Sequence, residues 1–205
     1  MPVPRLCIHR AANAIGGNCI EIVASGGERL LLDAGRPLEA PDRQPTSVPP
    51  SLNTGASVAG VLLSHAHGDH CGMLGSLPEN WPVYCGPATE SLLHLSASIS
   101  GKCIHQPCFL WESGKAFSLG PFSITPHLID HSAFDAYALL VTVDGKSILY
   151  SGDFRAQGRK GKLTRSLMRK PPRPLDILIM EGTNLPADGG TIQPTPTEEA
   201  LEKDY

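Results

Sequence analysis

At 205 residues the chain is long enough for one domain with a real core, and 41% hydrophobic against 18% charged residues is too ordinary a balance for a disordered or collagen-like protein. Its 17 basic and 20 acidic side chains leave a formal charge of −3, which by itself argues against general nucleic-acid binding. No apolar window approaches the length of a membrane span, and the opening MPVPRLCIHR lacks the apolar stretch of a secretory leader, so a cytoplasmic protein without a membrane partner is expected.

Along the chain, Cys19–Ala24 and Arg29–Leu32 read as a hairpin around Gly26-Gly27, closed by Asp33-Ala34-Gly35. The five prolines between Arg36 and Asn53 mark a surface loop. Val58–Leu63 is a short apolar run that suits a strand buried on both faces. A short helix is expected within His70–Leu77, a strand at Pro82–Tyr84, and a helix over Pro87–His94 that buries Leu92, Leu93 and Leu95. Strands follow at Phe117–Leu119, Phe122–Ile129, Ala136–Val143 and Ser147–Ser151, the last two joined by the turn Asp144-Gly145. Leu175–Met180 reads as a further buried strand. Thr197 then caps a helix whose first turn carries Glu198 and Glu199. The six cysteines, at 7, 19, 71, 85, 103 and 108, show no CxxC spacing and read as reduced, mostly buried thiols. Packed sheets flanked by helices, an α+β architecture, follow from this pattern.

Chemistry concentrates in Ser64-His65-Ala66-His67-Gly68-Asp69-His70, directly after the buried strand. His65 and His67, two apart on extended chain, point the same way and can share one ion. Gly68 lets the backbone turn, and Asp69 and His70 then project toward a neighbouring point. Imidazole and carboxylate without thiolate favour Zn, Mn or Fe chemistry over a structural cysteine site.

HxHxDH after a strand resembles the signature of the metallo-β-lactamase-fold hydrolases, and other motifs agree in order. Asp33 matches the early aspartate that orients the metal-binding loop. His65, His67, Asp69 and His70 match the central motif, His131 the third histidine of the first metal site, and Asp153 the bridging aspartate. The resemblance implies a four-layer αβ/βα sandwich, two Zn2+ ions (with Mn2+ as a substitute) and a metal-activated water, with Asp69 steering its proton. HSAFDA, YSGDFR and EGTNL are similar to the ribonuclease J-like and β-CASP branch, which inserts a second domain after a motif that Glu181-Gly182-Thr183 matches. Glu181 itself is read either as orienting site residues or as a plain strand-end acid.

This family draws one more histidine for the second metal from later in the chain, whereas no histidine follows His131 here. With an end in the first turn of a helix, the sequence reads as a portion of a longer protein and the sandwich as incomplete. Residues 1–184 are expected to form the metallo-β-lactamase-like domain. Residues 185–205 would begin a connection to an inserted domain or C-terminal part. His127 reads as a packing or orienting residue, Cys71 as core, and His9, His94 and His105 as ordinary.

From Phe154 to Pro174 there are eight basic residues and no acidic one. Next to the site, Arg155, Arg159, Lys160 and Lys162 are candidates for phosphate contacts, with a solvated face as the other reading. The expected function is hydrolysis of RNA phosphodiesters. A hydrolase of a small ester, thioester or lactam, and an inactive metal- or RNA-binding fragment, remain alternatives; whether copies of the chain associate stays open.

Overall fold

Side-chain alternation along the strands sorts the apolar residues into three interfaces. The computed structural model describes residues 3–40, 46–100, 104–184 and 195–203, and in it two sheets stack face to face with helices outside each. The first sheet runs β1 (Arg5–Arg10), β2 (Cys19–Val23), β3 (Arg29–Leu32), β4 (Gly60–Leu62), β5 (Val83–Cys85) and β6 (Cys108–Leu110). The second sheet contains β7 (Phe117–Leu119), β8 (Phe122–Ile129), β9 (Ala136–Val143), β10 (Lys146–Tyr150) and β11 (Ile177–Ile179), each beside the next in that order.

Leu30 and Leu32 of β3 and Leu62 of β4 face inward, against Leu139 and Val141 of β9 and Ile148 and Tyr150 of β10. Leu31 and Val61 face outward, packing with Met73 and Leu74, which follow the short helix α1 (Gly68–Cys71), and with Leu93 of helix α2 (Pro87–Ser100). On the far side, Ala138 and Leu149 pack with Leu167 of α3 (Gly161–Arg169). This period-two sorting is what a strand buried on both faces requires. The result is the expected four-layer αβ/βα sandwich.

Several elements differ from expectation. Ile177 and Leu178 of β11 are 38% and 53% exposed rather than buried, because β11 is an edge strand paired with β10 alone. An apolar run by itself does not separate edge from centre. Helix α2 reaches Ser100 and buries Thr89 and Leu93, an i, i+4 pair, so Leu92 and Leu95 face outward and are exposed. Strands β1 and β6 are additional to the sequence reading. The turn Asp144-Gly145 has φ of +50° and +71°, as a two-residue hairpin demands. Before α4 (Glu198–Lys203), Thr197 Oγ1 accepts from Ala200 N at 3.1 Å, which makes Thr197 the cap. Cys19, Cys71 and Cys85 are buried free thiols; Cys103 and the 185–194 stretch of the expected connection lie outside the described residues.

Topology brings the motifs to one place. Strands β3 to β6 run parallel, as do β10 and β11, and β8 aligns with them through two antiparallel pairings. The segments following β3, β4, β8, β10 and β11 therefore emerge at one end of the sandwich. Tyr137 N donates to Ser64 O at 3.0 Å and ties the sheets together there.

Candidate metal centre

Asp33, just after β3, takes φ +57°, a left-handed conformation that aspartate tolerates better than most residues. Its fully buried carboxylate accepts from Ser64 N (2.7 Å) at one oxygen, and at the other from Ser64 Oγ (2.8 Å), His70 Nδ1 (2.7 Å) and Tyr150 Oη (2.6 Å). Burial, then Asp33, pushes the Tyr150 phenol well above its ordinary pKa, so it stays a donor. An ionised carboxylate only accepts, so His70 carries its hydrogen on Nδ1 and presents Nε2 outward. Ser64 has given its hydrogen to Asp33 and accepts from His65 Nδ1 at 3.0 Å. His65 therefore presents Nε2 as well. One buried acid sets two tautomers.

His65, His67 and His131 form the first donor group. His67 Nδ1 lies 3.0 Å from His65 Nε2 and 3.2 Å from His131 Nε2. Two nitrogens on one tetrahedral zinc, at bond lengths of 2.0–2.1 Å, stand about 3.3 Å apart. His67 Nδ1 has at most one hydrogen for two facing nitrogens, whereas a cation satisfies all three lone pairs together. Burial, followed by the neighbouring imidazoles, holds His65 far below the ordinary histidine range. His131 falls to about 4, through burial first and with His67 and His70 acting against Asp153. Both rings are thus neutral at pH 7, the form a metal needs.

The second group is His65, His70 and Asp153. Asp153 Oδ1 is 3.2 Å from His70 Nε2 and its Oδ2 is 3.7 Å from His131 Nε2, which sets this carboxylate between the two groups. Asp69 Oδ2 is 3.8 Å from His70 Nε2, at the wall of a cavity of about 400 Å³ that Asn18, Asp153 and Glu181 also line. Burial opposes charge on His70, but Asp33 and Asp153 outweigh it and raise its pKa to about 10. Asp153 is held below the usual carboxylate range: burial raises it, but the bond to His70 and the surrounding imidazoles outweigh that. A cation competes with a proton for this position. The donors are nitrogen and oxygen throughout and fit Zn or Mn.

The remaining candidates act at a distance from the two groups. Glu181 Oε1 accepts from Phe154 N at 2.6 Å and so pins the segment that carries Asp153. Arg155 pairs with Asp130 (3.4 Å) and Glu198 (2.5 Å), and Arg159 with Glu202. Lys160 Nζ donates to Ala133 O and Phe134 O, in the loop after His131. Lys162 is exposed on α3. Asp130 escaped the sequence reading although it adjoins His131. Its carboxylate takes Gly158 N at 2.7 Å, and its own N–H goes to Thr164 Oγ1 at 2.8 Å.

Residues 28–203 match the model of a family described as the beta-lactamase superfamily domain. A ribonuclease from Thermus thermophilus is 28% identical over 194 residues, covering 84% of this chain and 42% of that protein. An RNase J-like protein from Methanocaldococcus jannaschii is 27% identical over 216 residues, 97% of this chain and 46% of its own. The chain thus spans less than half the length of these relatives. Among solved structures, a protein of unknown function from Enterococcus faecalis superposes with a TM-score of 0.77 at 22% identity, covering 97% of this chain and 55% of that one.

Proposed function

Because this chain belongs to the beta-lactamase superfamily domain family, we propose that it is a metal-dependent hydrolase of RNA phosphodiester bonds. The observation that carries the reading is the pair of donor groups that share His65 and flank Asp153. In this reading His65, His67 and His131 would hold one zinc, Asp69 and His70 would hold a second, and Asp153 would serve both. When bound, such ions lower the pKa of water to about 7 and stabilise negative charge on an attacked phosphoryl oxygen. Asp69, on the cavity wall, takes the proton of the attacking water and passes it to the leaving oxygen. Asp33 and Glu181 position ligands. RNA as the substrate rests on the two relatives named for RNase activity.

The basic segment beside the His131 loop supports an anionic substrate, with exposed Lys162 as a phosphate contact and Arg155, Arg159 and Lys160 fixing the segment. Residues 1–184 are the catalytic unit in this proposal. Free thiols among the described residues support a cytoplasmic location.

Elemental analysis of the purified protein, beside cleavage of end-labelled RNA and of a chromogenic lactam, tests the proposal. Bound zinc or manganese, RNA cleavage and loss of both in His65→Ala and His67→Ala are expected. Protein that takes up no metal, or that opens the lactam and spares RNA, would overturn it.

A further inference from the structure

We infer that Asn18 belongs to the second metal position, where its side-chain carboxamide oxygen supplies a neutral donor alongside Asp69, His70 and Asp153. The inference rests on the two-metal reading above.

The backbone of Asn18 is built against this position. Gly17 N and Asn18 N both donate to Asp69 O, at 3.1 and 2.9 Å, and Gly35 N donates to Asn18 O at 2.8 Å. Gly16 and Gly17 hold φ of +79° and +77°, and a Cβ on Gly16 would stand 3.1 Å from Asp69 Cβ. Only a residue without a side chain lets the loop press so closely on the Asp69-His70 turn. Asn18 is therefore fixed from two sides, one the segment after Asp33 and the other the turn that carries Asp69 and His70.

The side chain completes the argument. Its amide terminus lies 2.9 Å from His70 Nε2, the nitrogen left outward-facing by the bond from Nδ1 to Asp33. Asp153 Oδ1 and Asp69 Oδ2 stand 3.2 and 3.8 Å from the same nitrogen. Donors sharing one ion at 2.0–2.1 Å are separated by about 2.9–3.3 Å, so the amide stands at ligand-to-ligand distance. Nε2 holds a proton or a cation, never both, and neither calls for an N–H from the amide; a half-turn of the carboxamide turns Oδ1 toward the ion without moving the backbone. Two carboxylates neutralise a dication; an imidazole and a neutral amide oxygen add donors without excess charge.

Titrating the metal-free protein with Zn2+, and separately with Co2+ while recording its visible absorption, tests this. Asn18→Ala is expected to leave the tighter site unchanged, to weaken the second Zn2+ by roughly 10-fold or more, and to change the Co2+ band of that site. Asn18→Asp, which keeps an oxygen at the same place and loses the N–H, is expected to bind at least as tightly as the parent. Unchanged Zn2+ affinity and Co2+ spectrum in Asn18→Ala would overturn the inference. Equal weakening in Asn18→Ala and Asn18→Asp would also overturn it, by assigning Asn18 an N–H donor role. A parent protein that takes up no second ion defeats the two-metal reading itself, a result distinct from either.

Discussion

Asp33 receives four hydrogen bonds and can return none, so its effect depends on remaining an anion in a buried place. Asn at this position turns one acceptor into a donor, and that N–H must face either Ser64 N–H or the cluster of Ser64 Oγ, His70 Nδ1 and Tyr150 Oη. A hydrogen bond to a charged group contributes about 1.5–3 kcal/mol, and a buried donor left unmatched costs a similar amount. Asp33→Asn is therefore expected to lower unfolding free energy in urea by about 2–4 kcal/mol and zinc affinity by roughly 10–100-fold. Tyr150→Phe removes a single donor and leaves both histidine tautomers fixed, so its cost is expected to fall mostly on stability. Wild-type zinc affinity in folded Asp33→Asn would remove Asp33 from the site. The ligand candidates were legible because their spacing in sequence is their geometry, as with His65 and His67. Ser64 and Tyr150 were not, since a relay of hydrogen-bond directions through Asp33 exists only once β3, β4 and β10 are side by side.

Among the elements, the basic segment is the least transparent from sequence. Eight cations without an acid read as a surface for phosphate, yet Arg155 and Arg159 are met by Glu198 and Glu202 of α4, more than forty residues on. Only the fold supplies those partners. Apolar strands bounded by clear turn residues, such as β3 between Gly27 and Asp33 and β9 before Asp144-Gly145, are legible within a residue or so, whereas β1, β6 and the edge position of β11 depend on neighbours rather than on local pattern. Lys160 shows how the segment couples to the site. Its Nζ lies 3.1 Å from Ala133 O and 2.5 Å from Phe134 O, and so ties the start of α3 to the loop that follows His131. Lys160→Met keeps the apolar stem and deletes both bonds. It is expected to cost about 1–3 kcal/mol of stability and to weaken zinc at the three-histidine site several-fold, with RNA binding at fixed metal changed little. Isothermal titration with zinc and a filter-binding assay separate the two effects. A large loss of RNA affinity with unchanged zinc binding would instead make Lys160 a phosphate contact.

At the scale of the whole molecule, the candidate ligands come from both sheets. His65, His67, Asp69 and His70 follow β4 in the first sheet; His131 and Asp153 follow β8 and β10 in the second. An ion held among them is a clamp across the open end of the sandwich, added to the buried core between the sheets and to the Tyr150–Asp33 and Tyr137–Ser64 hydrogen bonds. None of the three apolar interfaces contains a ligand side chain, so the metal-free protein is expected to stay folded, with unchanged far-ultraviolet circular dichroism. Zinc that binds the native state alone adds stability by mass action, about 2.7 kcal/mol at a free concentration one hundred times Kd. For a chain of this size that is a rise in Tm of roughly 5–11 °C. The source of the rise can be located. His131→Ala leaves every candidate ligand of the first sheet in place and removes one of the two that cross to the second, so it is expected to lose most of the shift. A substitution at exposed His94 on α2 is expected to keep it whole. Thermal melts of the three proteins with zinc and with a chelator decide the matter. Equal Tm in zinc and chelator for the parent, or an undiminished shift in His131→Ala, would show that no ion joins the two sheets.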